Sequence, residues 1–326
     1  MPAGLGGGGK VGIAHETVMG TYVAPTIFVP ILSESLKYTE EKYYSEQIRQ
    51  QTIVSDVKSG YYHVEGDIEL EVDPTNMPLW LHASRHTPSF AAGVFTYVPS
   101  SAGSASTAAG VTNPKTLSIT VVRNNVVFGY TGCTVGGFEF MVEDGVLKCT
   151  MNVLGLAEAV QATPSPVWVA ADLLGADAHR VYLAASAAAP TFGAVDINFN
   201  GFTFRMNYNA EAQNRIHAER SASYVSFGIT EAEVESELDF LDRTDYDNFV
   251  NNAQRAIKLE STNGGATFAA STSGIVLQAN RVSYDAYDIG LEGMGDLIMA
   301  GFTGRMIGIA AGDAYSIKVK SPTTIT

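Results

Sequence analysis

The chain has 326 residues, 46% hydrophobic and 17% charged, with a net charge of −14, 32 glycines and two cysteines. The apolar content excludes intrinsic disorder, the acid excess excludes general affinity for nucleic acid, and two cysteines without C-x-x-C spacing exclude a disulfide scaffold or thiolate metal site. A charge fraction below the roughly 25% of ordinary soluble domains suits a protein that hides its outer surface against copies of itself.

The N-terminal run Gly4-Leu5-Gly6-Gly7-Gly8-Gly9-Lys10 imitates a phosphate loop, but no strand precedes it and Val11 stands where a Ser or Thr is required. Met1 to Lys10 therefore reads as a flexible arm. A charged segment leading into an apolar one is missing there, so no secretory signal is expected and synthesis ends in the cytosol.

Next comes an internal repeat. Ile31 to Tyr38 lines up with Ile197 to Phe204 at a shift of 166, and Val64 to Asp73 falls on Thr230 to Asp239 at the same shift, acid on acid five times. In the first of these strands Glu65, Asp67, Glu69 and Glu71 alternate with Gly66, Ile68, Leu70 and Val72; in the second Glu231, Glu233, Glu235 and Glu237 alternate with Ala232, Val234, Ser236 and Leu238. Period two sends the acids to one face and the apolar residues to the other. Adjacent carboxylates on such a face stand about 7 Å apart and repel by roughly 0.6 kcal/mol in water, which burial of three aliphatic side chains exceeds. One acidic strand is ordinarily a solvated face that discourages edge aggregation; two suggest a demand on that surface, such as a repulsive lining. Acids spaced by two are too far apart to chelate calcium unaided, and no metal or cofactor is expected.

Asp73-Pro74 reads as an N-cap and first helical residue leading into Met77, Trp80 and Leu81, while Tyr246, Phe249, Val250 and Ala253 keep helical spacing in the second copy. His82 and His86 stand four apart, but without the Glu of a zinc protease they read as a solvated helix end. Ser84 to Pro114 reads as a flexible insertion loop lacking from the second copy. Thr116 to Thr131 then matches Ala256 to Ser271 at a shift of 140, with Phe128 on Phe268. Phe138 to Val142 and Val146 to Val153 flank Glu143-Asp144-Gly145, a strong hairpin signal. Cys133 and Cys149 read as reduced, half-buried thiols. Pro164-Ser165-Pro166 ends the first copy, giving an arm and first domain over 1–165 and a second domain over 166–326. The most apolar late stretch, Leu297 to Ala311, is interrupted by Arg305 and is too short to span a membrane. No nucleophile, base and orienter come together, so no enzyme is expected.

Val11 to Thr26 with Phe28 to Leu36, and the later Gly60 to Pro74, resemble the tail tube proteins of long-tailed, siphovirus-type bacteriophages. The resemblance implies a mainly β fold, two tandem tube β-sandwiches each flanked by a short helix, whose strands line a tube as one β-barrel. It further implies that a two-copy subunit closes as a trimer with pseudo-sixfold symmetry, and four luminal strands per copy would give a barrel of about 24. Glu65, Asp67, Glu69, Glu71, Glu231, Glu233, Glu235 and Glu237 become the expected lumen lining, past which double-stranded DNA slides unbound. The implied setting is the virion tail, assembled in the host cytoplasm, with tape measure, tail terminator and distal tail proteins as partners and with the arm and insertion loop reaching neighbouring rings. A carbohydrate- or receptor-binding β-sandwich of the tail tip is the alternative, and a glycan hydrolase a third reading; an unbroken acidic row is poorly suited to separate the pKa values of two carboxylates.

Overall fold

The computed structural model describes residues 9–25, 27–47, 53, 56–100, 115–124, 126–162, 164–168, 172–196, 198–216, 219–241, 243–290, 298–308 and 313–321. In chain order the first half carries strands β1 (Lys10–His15), β2 (Ile27–Val29), β3 (Ser33–Glu34), β4 (Lys37–Tyr44) and β5 (Val57–Glu71), then helix α1 (Met77–His82). After it come β6 (His86–Ala91), β7 (Val94–Pro99), β8 (Leu117–Arg123), β9 (Val126–Glu143), β10 (Val146–Gly155) and β11 (Ala157–Val160). The second half carries β12 (His179–Ala185), β13 (Phe199–Asn207), β14 (Ala210–Gln213), β15 (Tyr224–Phe227) and β16 (Glu231–Asp239), then α2 (Thr244–Val250). It closes with β17 (Arg255–Asn263), β18 (Ser273–Gly290), β19 (Met299–Met306) and β20 (Tyr315–Lys320). The fold is mainly β, as the sequence indicates.

Two strands of 18 residues, β9 and β18, organise it. The first part of β9, up to Cys133, pairs with β8 and β11; from Thr134 on, across a bulge at Gly136, it pairs with β10, and from Gly137 on also with β13. Gly132, at φ +63°, lies just before the change of partners; a β-carbon there would meet Leu156 Cγ at 2.5 Å. Likewise β18 pairs first with β17 and β20 and then, from Val282 on and across a bulge at Asp285, with β19. The first half thus has one layer in the order β2, β1, β8, β9, β11 and another in the order β3 with β4, β5, β10, β9. The same order recurs, without a counterpart of β2 among the described residues, as β12, β17, β18, β20 and as β13, β16, β19, β18. Both halves share a continuous core, running from Val11, Ile68, Trp80 and Phe140 to Phe204, Val234, Leu277 and Ile317.

Register corrects parts of the sequence alignment. Ser33 lies opposite Glu69 and Thr203 lies opposite Glu235, so the strands before the acidic ones match at a shift of 170 rather than 166. Phe268 falls in the turn between β17 and β18, not on the strand that holds Phe128, because the link that is two residues long after β8 spans 264–272 after β17. The helix α1 starts at Met77: Asp73-Pro74 belongs to a turn in which the Asp73 carboxylate accepts from the Thr75 amide at 2.8 Å and the Asn76 side chain at 3.1 Å. Burial raises the Asp73 pKa against those hydrogen bonds. In the second half α2 ends at Val250, short of Ala253. The hairpin at Asp144-Gly145 is as expected, with both residues at positive φ, the requirement of a two-residue type I′ turn.

The insertion is more ordered than a flexible loop. Residues 86–99 form the hairpin β6–β7, and β7 pairs with β20 of the second half; 101–114 lie outside the described residues, as do 1–8 of the arm, whereas Lys10 already belongs to β1. His86 is no solvated helix residue: it begins β6 and is fully buried, its ring bonded to Ser84 Oγ at 2.6 Å and to Tyr208 and Tyr315 Oη at 3.2 Å each. Burial, then Lys115, lowers its pKa to about 3. This neutral hub ties the insertion to both halves. Cys133 and Cys149 are free and wholly buried rather than half-buried.

Candidate functional site

The pairing of β9 with β13 joins the second layers of the two halves into one eight-stranded sheet: β3/β4, β5, β10, β9, β13, β16, β19 and the end of β18. One face packs on the core, with Ile68, Leu70, Phe140, Phe204, Val234 and Phe302 buried. The other is polar. All eight acids singled out from the sequence have their partners in this sheet, and none of them is buried. Period two therefore holds through both acidic strands.

Their surroundings differ. Glu65 Oε1 accepts from Thr39 Oγ1 at 3.0 Å and lies 3.5 Å from Lys37 Nζ, with His63 Nε2 3.5 Å from its other oxygen. The Thr39 hydrogen bond is the largest cause of its lowered pKa. Asp67 accepts from Asn152 Nδ2 at 3.1 Å, Glu69 from Ser33 Oγ at 3.0 Å, and Glu71 stands across from Lys148. In the second half Glu231 stands across from Asn207, Glu233 lies 3.6 Å from Arg305, Glu235 faces Thr203 and Thr303, and Glu237 lies between Gly201 and Gly301.

Following one level across the sheet gives Ser33, Glu69, Thr150, Glu139, Arg205, Glu233, Arg305 and Ser283. The face is thus negative overall but not an unbroken acidic row. Arg205 pairs with Glu139 at 2.5 Å, Lys148 with Glu143 at 2.5 Å, and Arg305 bridges Glu233 and Asp285 at 3.6 and 3.8 Å. Hydrogen bonding to Glu139 raises the Arg205 pKa, and Glu143 does the same for Lys148.

Sequence reasoning missed Glu139, Glu143, Asp285 and Asp288 on this face. The first two were accessible, since Phe138 and Phe140 point to the core and period two sends Glu139 and Glu143 the other way. Asp285 and Asp288 are three apart and share the face only because Asp285 is the extra residue of a bulge. The face is a fixed charge pattern on a rigid sheet, with no group of three or more metal-ligating side chains among the described residues.

A family model described as phage tail tube protein matches residues 6–308, nearly the whole chain. The chain belongs to the phage tail tube protein family. Among curated protein sequences no match was found. As a tail tube protein it is a structural component of the phage virion, located in the tail, and its family assembles into a tube. Among the described residues no helix is long and apolar enough to cross a membrane.

Proposed function

We propose that this tail tube protein has two tube domains, 1–165 and 166–326, that three copies close into a pseudo-sixfold ring, and that stacked rings form the DNA conduit of a siphovirus-type tail. The observation that carries this reading is the eight-stranded sheet, charged on one face and ended on both sides by strands that pair on one edge only among the described residues. Three such sheets joined edge to edge make a barrel of about 24 strands, wide enough for an aqueous channel. Closure also removes the open edges, which would otherwise invite uncontrolled pairing.

In this reading Glu65, Asp67, Glu69, Glu71, Glu231, Glu233, Glu235 and Glu237 line the lumen. Their excess over Lys37, Lys148, Arg205 and Arg305 repels the DNA backbone, while the bases sit in ion pairs that leave few free cations for phosphate. DNA passes without being held. The tape measure, tail terminator and distal tail proteins are the expected partners at the lumen and ends, and assembly takes place in the host cytoplasm.

The test is a phage carrying Glu69→Lys with Glu235→Lys. Electron microscopy is expected to show normal tubes, because neither side chain supports the core, while DNA delivery falls. Unchanged delivery would remove the lining role.

A further inference from the structure

Resting on that ring, we propose that the seam between subunits repeats the seam inside the chain, with the end of β18 in one copy pairing antiparallel to residues 32–35 of the next, Ser33 opposite Asp288 and Leu32 opposite Ile289. The register follows from correspondences within the sheet. Ser33 stands to Glu69 as Thr203 stands to Glu235. Glu139 stands to Thr150 as Ala286 stands to Thr303, and Thr150 and Thr303 face the equivalent acids Glu69 and Glu235. Inside the chain Met141 pairs with Thr203, Val142 with Phe202 and Glu139 with Arg205. Carried to the outer edges, these pairs become Asp288 with Ser33, Ile289 with Leu32 and Ala286 with Ser35.

Three observations outside the register argue for a second copy as the occupant. Leu32 is 49% exposed and Ile289 39%, although both alternate with polar-face residues and so point to the core side; at the internal seam Phe202, the counterpart of Leu32, is buried, and Val142, the counterpart of Ile289, is half-buried. Joining the edges gives each an apolar partner. Beside β3 lies an open cleft of about 630 Å³ reached by Ile31, Leu32, Val121 and Trp168. The corresponding place in the second half is filled by the β9–β10 turn, where the Gly145 carbonyl meets His179 Nε2 at 3.3 Å and a β-carbon on Gly145 would come within 2.7 Å of Ala176. A neighbour whose β18 pairs with residues 32–35 would stand at the mouth of that cleft.

The experiment is disulfide trapping in the full chain. Residues directly opposite in an antiparallel pair have Cα atoms about 4.5 to 5.5 Å apart, within disulfide reach, and the native Cys133 and Cys149 are buried away from the surface. Oxidised Ser33→Cys/Asp288→Cys tubes are expected to run as a reducible ladder ending at a covalent trimer. Tubes of the displaced pair Ser35→Cys/Asp288→Cys should stay largely monomeric. Should the double variant fail to assemble, mixing Ser33→Cys chains with Asp288→Cys chains should yield cross-linked dimers only. Assembled tubes that cross-link through the displaced pair, or through neither, would overturn this seam and leave the ring standing. Wild-type protein that forms no rings at high concentration would instead overturn the ring reading, and the seam with it.

Discussion

The acidic strand of the first half, β5, and that of the second, β16, follow one rule and are held differently. In β5 three of the four carboxylates are tied down: Thr39 and Lys37 hold Glu65, Asn152 holds Asp67 and Ser33 holds Glu69. In β16 Glu233 meets Arg305, whereas the carboxylate of Glu237, which stands between glycines, makes no hydrogen bond or ion pair among the described residues. The backbones differ too, since β5 contains Gly66 at φ +155° where β16 has Ala232. What the halves share is the alternation; the polar partners are local. The alternation is therefore the element tied to the common architecture, and it should be the least tolerant of change.

The largest effect tests that claim. Ile68→Asp and Val234→Asp each put a carboxylate at a position with no solvent exposure, among the apolar side chains of the core. Burying an unpaired charge costs several kcal/mol, enough to exhaust the stability of an ordinary domain. Both variants should be insoluble on expression, while Glu69→Gln and Glu235→Gln stay folded, as circular dichroism would report. A soluble, folded Val234→Asp chain would mean that the two faces of β16 are not distinguished as described.

The next effect is confined to β5. A β-carbon at Gly66 would lie 2.6 Å from the Ser35 carbonyl oxygen and 2.7 Å from Leu36 N and Cα, all backbone atoms that cannot step aside. Together with the φ, Gly66→Ala should cost about 1 to 3 kcal/mol. The equivalent change in β16 runs the other way. Ala232→Gly meets no steric conflict and loses about 0.5 to 1 kcal/mol through chain entropy. Urea melts of the two variants should differ in midpoint in that order; equal midpoints would show that β5 relaxes around a side chain at this bend.

These contrasts mark how much of the molecule could be read from its sequence. Alternation in Glu65 to Val72 and Glu231 to Leu238 gave both faces because each residue in a strand obeys period two regardless of its neighbours. The Asp144-Gly145 hairpin was legible for the same local reason. Pairing was not. That β9 and β13 join the halves, and so bring Arg205 to Glu139, depends on contacts across 66 residues of sequence. The bulge that lets Asp285 and Asp288 share a face is likewise fixed by β19 rather than by its own residues. His86 misled for a related reason: its spacing from His82 suggested a helix, but the helix ends at His82 and the burial comes from Tyr208 and Tyr315, far along the chain.

The smallest effect compares the two seams directly. Glu139 and Arg205 pair across the internal one with side chains 38% and 45% exposed, so water screens them and the pair contributes about 0.2 to 1 kcal/mol. Arg205→Ala should lower the Tm of the unassembled chain by about 1 to 3 °C, less at high salt. At the proposed outer seam the equivalent positions are Ser35 and Ala286, which cannot form an ion pair, so the double change Ser35→Arg with Ala286→Glu should transplant the internal pair. Its expected signature is selective: rings that dissociate at higher temperature in low salt, while the unassembled chain, which loses the hydrogen bond from Asp67 N to Ser35 Oγ, melts slightly lower. An Arg205→Ala chain melting many degrees lower would mean that the ion pair, rather than the backbone ladder and the facing Phe140 and Phe204, holds the halves together. The transplant would then be the stronger of the two changes.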